Sequence, residues 1–437
     1  RDWETRSHDP LEKYAAHALA KVRHRDRVGI FYAAFADPEF PRALARAMGE
    51  GGDVPLGPGR LRFSHTSRFA GHADALGEEV RVPALEQSNT AVFFGNRLFL
   101  KGYRRMREGV NPELELGRFL TEASPFAHVS PVLGAVEYLE GDGEPVTLAI
   151  LQAFVENQGD LWSLTRQHLG RLASMPDAAT GKESAESVAT DFHIGRMALL
   201  GRRIAELHRA LAVTTGDPRF DPEPVTPDDL DGWKRSVAAE MDRTFEMLRG
   251  SRGRLPQRTL EAIEPLLARR DELARRIGAT TLELGGLLKT RYHGDLHLGQ
   301  VLAVQDDFTI VDFEGEPERP VAERRAKSCV LRDVAGMLRS FSYAAHSASQ
   351  PLAGEPATQG GARVLAEWER GAAHHFLAGY TKAAAGLASL PAEPQGLRAL
   401  LDLFLVEKAL YELRYEAANR PDWIEIPLAG LLEISQR

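Results

Sequence analysis

A single cysteine, Cys329, stands in 437 residues, which excludes an internal disulfide framework and any metal site built from several thiolates. That scarcity fits a reducing cytoplasm. Basic residues are in the minority: 54 Lys and Arg against 62 Asp and Glu leave a net charge of −8, which does not favour a general binder of nucleic acid or of anionic membranes. The longest apolar run, Val146–Val155, is interrupted by Gln152, whereas a membrane-spanning helix needs about 20 residues. No signal peptide, internal repeat or low-complexity tract is legible. A Gly-rich phosphate loop is also missing; Gly181-Lys182 lacks the first glycine and the Ser/Thr of a Walker motif. What is present is core material. Hydrophobic residues make up 43% and charged residues 27%, which rules out global disorder. At ~150 residues per domain the length corresponds to roughly three units, or to one large two-lobed protein with an appendage. The chain opens on Arg1 rather than Met and reads as a segment of a larger polypeptide.

Residues 9–48 read as helices, from the recurrence of Leu11, Tyr14, Ala15 and Ala18 and from a second stretch at Arg42–Met48. Gly51–Gly59, with Gly or Pro at six of nine positions, reads as a linker or turn. From Val80 to Val155 the pattern becomes strand, strand, helix, strand, strand: Thr90–Phe94 and Arg97–Leu100 across Gly95-Asn96, then a helix from Asn111-Pro112-Glu113 to Glu122, then Val132–Tyr138 and Val146–Val155. After Asn157 the periodicity is mainly helical. It is broken at Arg291–Asp312, where a loop leads into a hairpin of Val301–Val304 and Thr309–Phe313, and at the flexible stretch Ser347–Ala362. The expected fold class is α+β: a small antiparallel sheet plus helix as one lobe (81–156) and a mainly helical second lobe (157–437). Residues 1–80 are expected as a partial N-terminal cap segment.

The strongest chemical pattern is His293-Gly294-Asp295-Leu296-His297-Leu298-Gly299-Gln300, followed by Ile310-Val311-Asp312-Phe313-Glu314. Asp295 and Asp312 lie 17 residues apart on either side of the predicted hairpin, so both carboxylates can face one space, with Gln300 at the start of the first strand. Phosphoryl transfer needs such a set: one carboxylate to orient and deprotonate the acceptor hydroxyl, and another with an amide oxygen to hold Mg²⁺ on nucleotide phosphates. Lys101 ends a strand and would be a solvated edge charge in isolation; beside the Asp pair it becomes the candidate cation for the α/β-phosphates. Its expected partner is Glu115, beside the inner face of the following helix, because Glu113 in the first turn has a helix-dipole role available. Ser88, Asn89 and Thr90 form either a turn or a phosphate loop. His293 and His297 have zinc-like spacing without a third ligand, and read as locking the loop; Asp333 reads as structural. The tail Tyr411–Trp423, with Tyr411, Glu412, Arg414, Tyr415, Glu416, Asn419, Arg420 and Trp423, is either sugar-binding or the core face of an amphipathic helix.

Glu86–Thr90, Val110–Leu120, Asn157–Asp160, His293–Gln300, Asp312–Pro317 and Asn419–Trp423 together resemble the bacterial maltokinases, which are often fused behind trehalose synthase. The resemblance runs from roughly Arg27 to the C-terminus. It implies a two-lobed protein-kinase-like fold similar to aminoglycoside phosphotransferases, and ATP- and Mg²⁺-dependent phosphorylation of maltose at its anomeric hydroxyl, feeding α-glucan synthesis. It further implies Asp295 as catalytic base, and Gln300 and Asp312, with Glu314 beside them, as metal ligands. Lys101 and Glu115 become the phosphate-binding ion pair, Gln152, Phe154 and Val155 the adenine hinge, and Tyr415, Arg420 and Trp423 the sugar pocket. Against the family pattern, Gly102-Tyr103 replaces the more usual Leu-Phe after the lysine, and the sheet part of the cap is expected to be missing. Two rival readings accompany this one: a kinase for another sugar or amino sugar such as glucosamine, or a non-catalytic module associated with trehalose synthase. No nucleic-acid or membrane partner is expected, and the expected location is the cytoplasm.

Overall fold

The computed structural model describes residues 14–25, 27–83, 89–174, 185–250, 257–349 and 359–436. The chain divides into two compact units, residues 1–123 with 129–156 and residues 124–128 with 157–437.

The first unit begins with β1 (Ala18–His24) and β2 (Arg27–Tyr32), an antiparallel hairpin, followed by α1 (Glu39–Glu50). The helix expected over 18–32 is therefore a correction. Alanines give this stretch a helical look, but Val22, Val28 and Ile30 favour a pleated ribbon, and Tyr14 stacks on Tyr32 at 4.3 Å across the hairpin base. Leu11 lies outside the described residues. Next come β3 (Gly52–Leu56), β4 (Gly59–His65), β5 (Val80–Arg81), β6 (Asn89–Phe94), β7 (Leu98–Tyr103), α2 (Pro112–Glu122), β8 (Val132–Leu139) and β9 (Val146–Ala153).

Among the described residues β3 to β9 form one seven-stranded antiparallel sheet in the order β3-β4-β8-β9-β7-β6-β5. Two expectations change here. Gly51–Gly59 is not a linker but most of a hairpin, with its turn at Gly57, φ +57°. Its Pro55 is tolerated because β3 is an edge strand. Nor does residue 80 separate a sheetless cap from a lobe, since β4 pairs with β8 from Arg60↔Leu139 to His65↔Gly134. That register needs close approach: a Cβ on Gly59 would collide with the Leu139 carbonyl and the Tyr138 ring.

The helix α2 starts as its sequence demands. Asn111 accepts the Leu114 N–H at 3.1 Å, and Pro112 occupies the first turn. Leu114, packed with Val132, Ala135 and Ile150, and the buried Leu116 and Leu120 fix it, at about 1.5–3 kcal/mol for each side chain removed from water. Tyr103, on the strand that carries Lys101, packs against the same cluster as Leu114 of the helix that carries Glu113.

The second unit contains α3 (Leu161–Ala173), α4 (Ala185–Leu211), β10 (Glu223–Pro224), α5 (Pro227–Gly250), α6 (Gln257–Ala268), α7 (Arg270–Ala279), β11 (Leu288–Lys289), β12 (Val301–Val304), β13 (Asp307–Ile310), α8 (Val321–Arg325), α9 (Leu331–Ser349), α10 (Gln359–Ala383), α11 (Pro394–Asn419) and α12 (Glu425–Gln436). The expected hairpin is present, paired from Val301↔Ile310 to Val304↔Asp307; its first strand keeps the expected bounds, whereas β13 starts two residues before the expected Thr309–Phe313 and ends at Ile310. The stretch expected to be flexible falls on the end of α9, on residues outside the described set, and on the start of α10. Among the described residues no helix is long and apolar enough to cross a membrane.

Between α3, α4 and α10 lies a histidine pair, His168 and His193, stacked at 4.8 Å. The Trp368 indole N–H donates to His193 Nδ1 at 3.2 Å, so the ring is read as neutral with its proton on Nε2. Burial first, then the charges of His168 and Arg196, pull the His193 pKa down to about 3. In the unfolded chain the ring protonates near its ordinary 6.5. Between those values the unfolded state binds more protons, so stability present above pH 6.5 is lost as pH falls. Going from pH 7 to 5 is expected to cost about 2 kcal/mol from this group alone, and His193→Gln should flatten that slope. Thermal midpoints across this range check it; identical slopes in both proteins contradict it.

Candidate active site

In the first unit, β7 ends on Lys101 and the first turn of α2 presents Glu113. The Lys101 ammonium donates to Glu113 Oε2 at 2.7 Å, with both side chains largely buried, and the Tyr103 hydroxyl donates to the same oxygen at 2.6 Å. The carboxylate found on the lysine is therefore the one read as a helix-dipole residue. Glu115 is also buried in α2. Tyr103, the residue that departs from the family pattern, serves as a second donor to Glu113. Asn89 pairs with Tyr103 and Thr90 with Gly102 across β6–β7, and Thr90 Oγ1 accepts from Arg104 Nε at 3.1 Å. Ser88 lies outside the described residues. Gln152 is buried opposite Phe99 and Val132. At the strand end, the Phe154 N–H donates to the Arg97 carbonyl at 2.8 Å and the Phe154 ring meets Phe93 edge-on, while Val155 follows without regular structure. The Phe154 donor expected at a hinge is thus already engaged.

In the second unit the His293–Gln300 loop is clamped from three sides. Asp333, in the first turn of α9, accepts the N–H groups of His293 at 2.8 Å and Gly294 at 2.9 Å. Its own position is fixed by His208, whose Nε2 lies 3.1 Å away and whose Nδ1 lies 2.9 Å from the Tyr380 hydroxyl. Burial opposes the Asp333 charge, but His208, His293 and the Gly294 N–H outweigh it and its pKa is lowered. His293 Nε2 lies 3.0 Å from the Val311 carbonyl, which only accepts, so Nε2 carries the proton and Nδ1 receives the Asp295 N–H at 3.3 Å. One ring therefore ties the loop before the hairpin to the strand after it. His297 Nδ1 accepts the Gly299 N–H at 3.0 Å, and burial lowers its pKa.

The hairpin brings its two ends together. Val311 N–H donates to the Gln300 carbonyl at 3.0 Å, and Gln300 Nε2 donates to Asp312 Oδ2 at 3.0 Å. With its amide hydrogen spent there, Gln300 has its amide oxygen to offer a cation. Asp312 is held at φ +66°, a conformation a non-glycine residue adopts only when the surroundings impose it. An amide oxygen and a carboxylate are hard oxygen donors of the kind that suits Mg²⁺. Glu314 follows on the same segment; its carbonyl accepts from Arg324 Nη1 at 2.9 Å.

Asp295 opens onto a cavity of about 560 Å³ lined by residues of the second unit only. Trp162 and His297 line it near Asp295, and Tyr343, Tyr411, Tyr415 and Trp423 give it aromatic walls. The expected sugar residues Tyr415, Arg420 and Trp423 thus share one cavity with Asp295 and are not simply a core face. Arg420 lies 4.8 Å from the Trp423 ring and holds Glu416 by two hydrogen bonds of 2.7 and 2.9 Å. Glu412 is bound to Arg339 at 2.8 Å; burial leads the rise in its pKa and Glu416 adds to it. Lining carboxylates (Asp295, Glu318, Glu412, Glu416) outnumber lining cations (Lys408, Arg420). Glu412 and Glu416, which the sequence groups with the sugar-binding tail, line the same cavity; Lys408 was missed. Its signal was the helical spacing Lys408, Tyr411, Glu412, Tyr415 on α11, which places all four on one face.

No family model matches the chain. Curated relatives do, two glucosamine kinases among them. The glucosamine kinase of Mycolicibacterium smegmatis is 25% identical over 348 residues, 79% of this chain and 77% of the relative. That of Streptacidiphilus jiangxiensis is 24% identical over 368 residues, 84% and 75% of the two chains. Among solved structures, a glucosamine kinase in complex with glucosamine, ADP and inorganic phosphate superposes with a TM-score of 0.68, at 21% identity, over 95% of this chain and 86% of that one. The fold is protein-kinase-like. The chain is a phosphotransferase with an alcohol group as acceptor.

Proposed function

We propose that this protein transfers the γ-phosphoryl group of ATP to a hydroxyl of an amino sugar, with glucosamine as the leading acceptor. The carrying observation is the cavity above Asp295: aromatic walls for the CH faces of a pyranose, and a surplus of carboxylates that suits an acceptor bearing an ammonium group. The names of the relatives support the same acceptor over maltose, which the sequence resemblance implies.

In this reading Asp295 receives the proton of the attacking hydroxyl. The oxygen–phosphorus bond forms as the bond to ADP breaks, and the electron pair leaves with ADP. Gln300 and Asp312 hold Mg²⁺, with Glu314 next to them on the chain; the ion, when bound, neutralises charge on the phosphates. Lys101, fixed by Glu113, binds the nucleotide phosphates. Tyr415, Arg420 and Trp423 shape the acceptor site. The clamp of His293 and Asp333 on the Asp295 loop supplies the rigidity that in-line transfer needs.

The amine is the discriminating group. A hydrogen bond to a charged partner contributes about 1.5–3 kcal/mol, so kcat/KM for glucosamine should exceed that for N-acetylglucosamine and glucose by at least about tenfold. Steady-state ADP release with these sugars and maltose measures it. Maltose as the preferred acceptor would restore the anomeric-kinase reading, and no sugar-stimulated turnover would remove both.

A further inference from the structure

Lys408, on α11, reaches into the site from a helix that the loop motifs do not include. Its ammonium lies 2.6 Å from Glu316 Oε1 and 3.4 Å from Asp295 Oδ1, and lines the acceptor cavity. Glu316 is itself buried and also bonded to Arg319 Nε. Glu316 thus has two cationic partners, Lys408 and Arg319. Lys408 is kept charged: burial opposes it, and Glu316 and Asp295 prevail. An anchored Glu316 therefore fixes a permanent cation against one oxygen of Asp295.

We infer that Lys408 is a positioning residue: anchored by Glu316, it holds Asp295 by Oδ1 and so presents Oδ2 to the acceptor hydroxyl. This rests on the reading of Asp295 as the group that takes the acceptor proton. The arrangement accounts for two features together. A carboxylate at the mouth of a wide cavity has several rotamers open to it, and a single ammonium contact selects among them. A half-buried lysine beside the carboxylate of a loop residue costs desolvation, which the short bond to Glu316 offsets. Since a misplacement of about 1 Å costs up to ~10²-fold in rate, the effect belongs in kcat rather than in the KM for ATP.

Lys408→Cys tests this with a rescue. Treatment with 2-bromoethylamine joins the thiolate sulfur to the ethylamine carbon, expels bromide, and rebuilds a lysine-length ammonium. Cys329 is fully buried and its thiol is pushed up to about 12, so it stays unmodified. The expected result is a 10–100-fold loss of kcat with an unchanged KM for ATP, recovered largely on alkylation and in part in Lys408→Arg. Full kcat in the unalkylated variant overturns the inference, as does a folded, fully alkylated protein that recovers nothing. If Lys408→Cys does not fold, Glu316→Gln reads the same anchor and should show the same kcat loss; wild-type kcat there overturns it. A crystal structure of Lys408→Met, with Asp295 in more than one rotamer, supports it without any assay, and Asp295 unmoved argues against it. Failure of the wild type to phosphorylate any sugar would instead refute the proposed acceptor, and the crystal structure would still decide the role of Lys408.

Discussion

Asp295→Asn should lower kcat by about 10²–10⁴-fold, the usual contribution of a positioned proton acceptor, while ATP binds within about twofold of its wild-type affinity. The substitution is nearly isosteric, and the loop does not depend on the carboxylate. Its backbone is held by Asp333 through two N–H groups and by His293 through the Val311 carbonyl. An asparagine at this position can still accept from Lys408 through its amide oxygen, so no buried cation is abandoned. Isothermal calorimetry with ATP·Mg²⁺ separates loss of chemistry from loss of binding. Near-wild-type turnover would mean that Asp295 is not the base, and an unfolded variant would mean that the clamp does not hold the loop.

The second large effect concerns the lysine. Lys101→Met should reduce kcat/KM for ATP by about 10²–10³-fold, the scale seen when one preorganised donor to transition-state charge is removed. Glu113→Gln should follow it more closely than Glu115→Gln, because Glu113 Oε2 takes both the Lys101 ammonium and the Tyr103 hydroxyl. Removing one partner of so buried a pair also costs about 3–5 kcal/mol of stability, so activity is to be compared at a temperature where each variant is folded. A Glu115→Gln variant with the larger loss in kcat/KM would return the role to Glu115.

The parts of this protein that were legible in its sequence are those whose signals are local. The hairpin β12–β13 announces itself through a turn between two β-branched runs, so Asp295, Gln300 and Asp312 could be placed before any coordinates. The helix α2 declares its start through Asn111 and Pro112, and its burial through Leu114, Leu116 and Leu120. Where placement depends on distant chain, local signals misled. The Gly- and Pro-rich 51–59 stretch looks like a linker until β8 supplies the partner for β4. The alanines before His24 look helical until Tyr32 folds back onto Tyr14. The choice of Glu115 over Glu113 rested on helix-face arithmetic, which did not foresee the bond from Lys101 to Glu113 in the first turn of α2. Lys408 lies 113 residues from Asp295, and only the packing of α11 brings the two together. Tyr415, Arg420 and Trp423 fall between these cases. Their residue types suggested a sugar, but it took the cavity to distinguish that from a core face.

The most direct test of the account is the identity of the phosphorylated product. Wild-type protein incubated with ATP, Mg²⁺ and either glucosamine or maltose should, by ³¹P NMR, give a new phosphomonoester signal with glucosamine at a rate well above that with maltose, and Asp295→Asn should give it at least about 10²-fold more slowly. A phosphate on the anomeric oxygen of maltose, with glucosamine inert, would contradict the amino-sugar assignment.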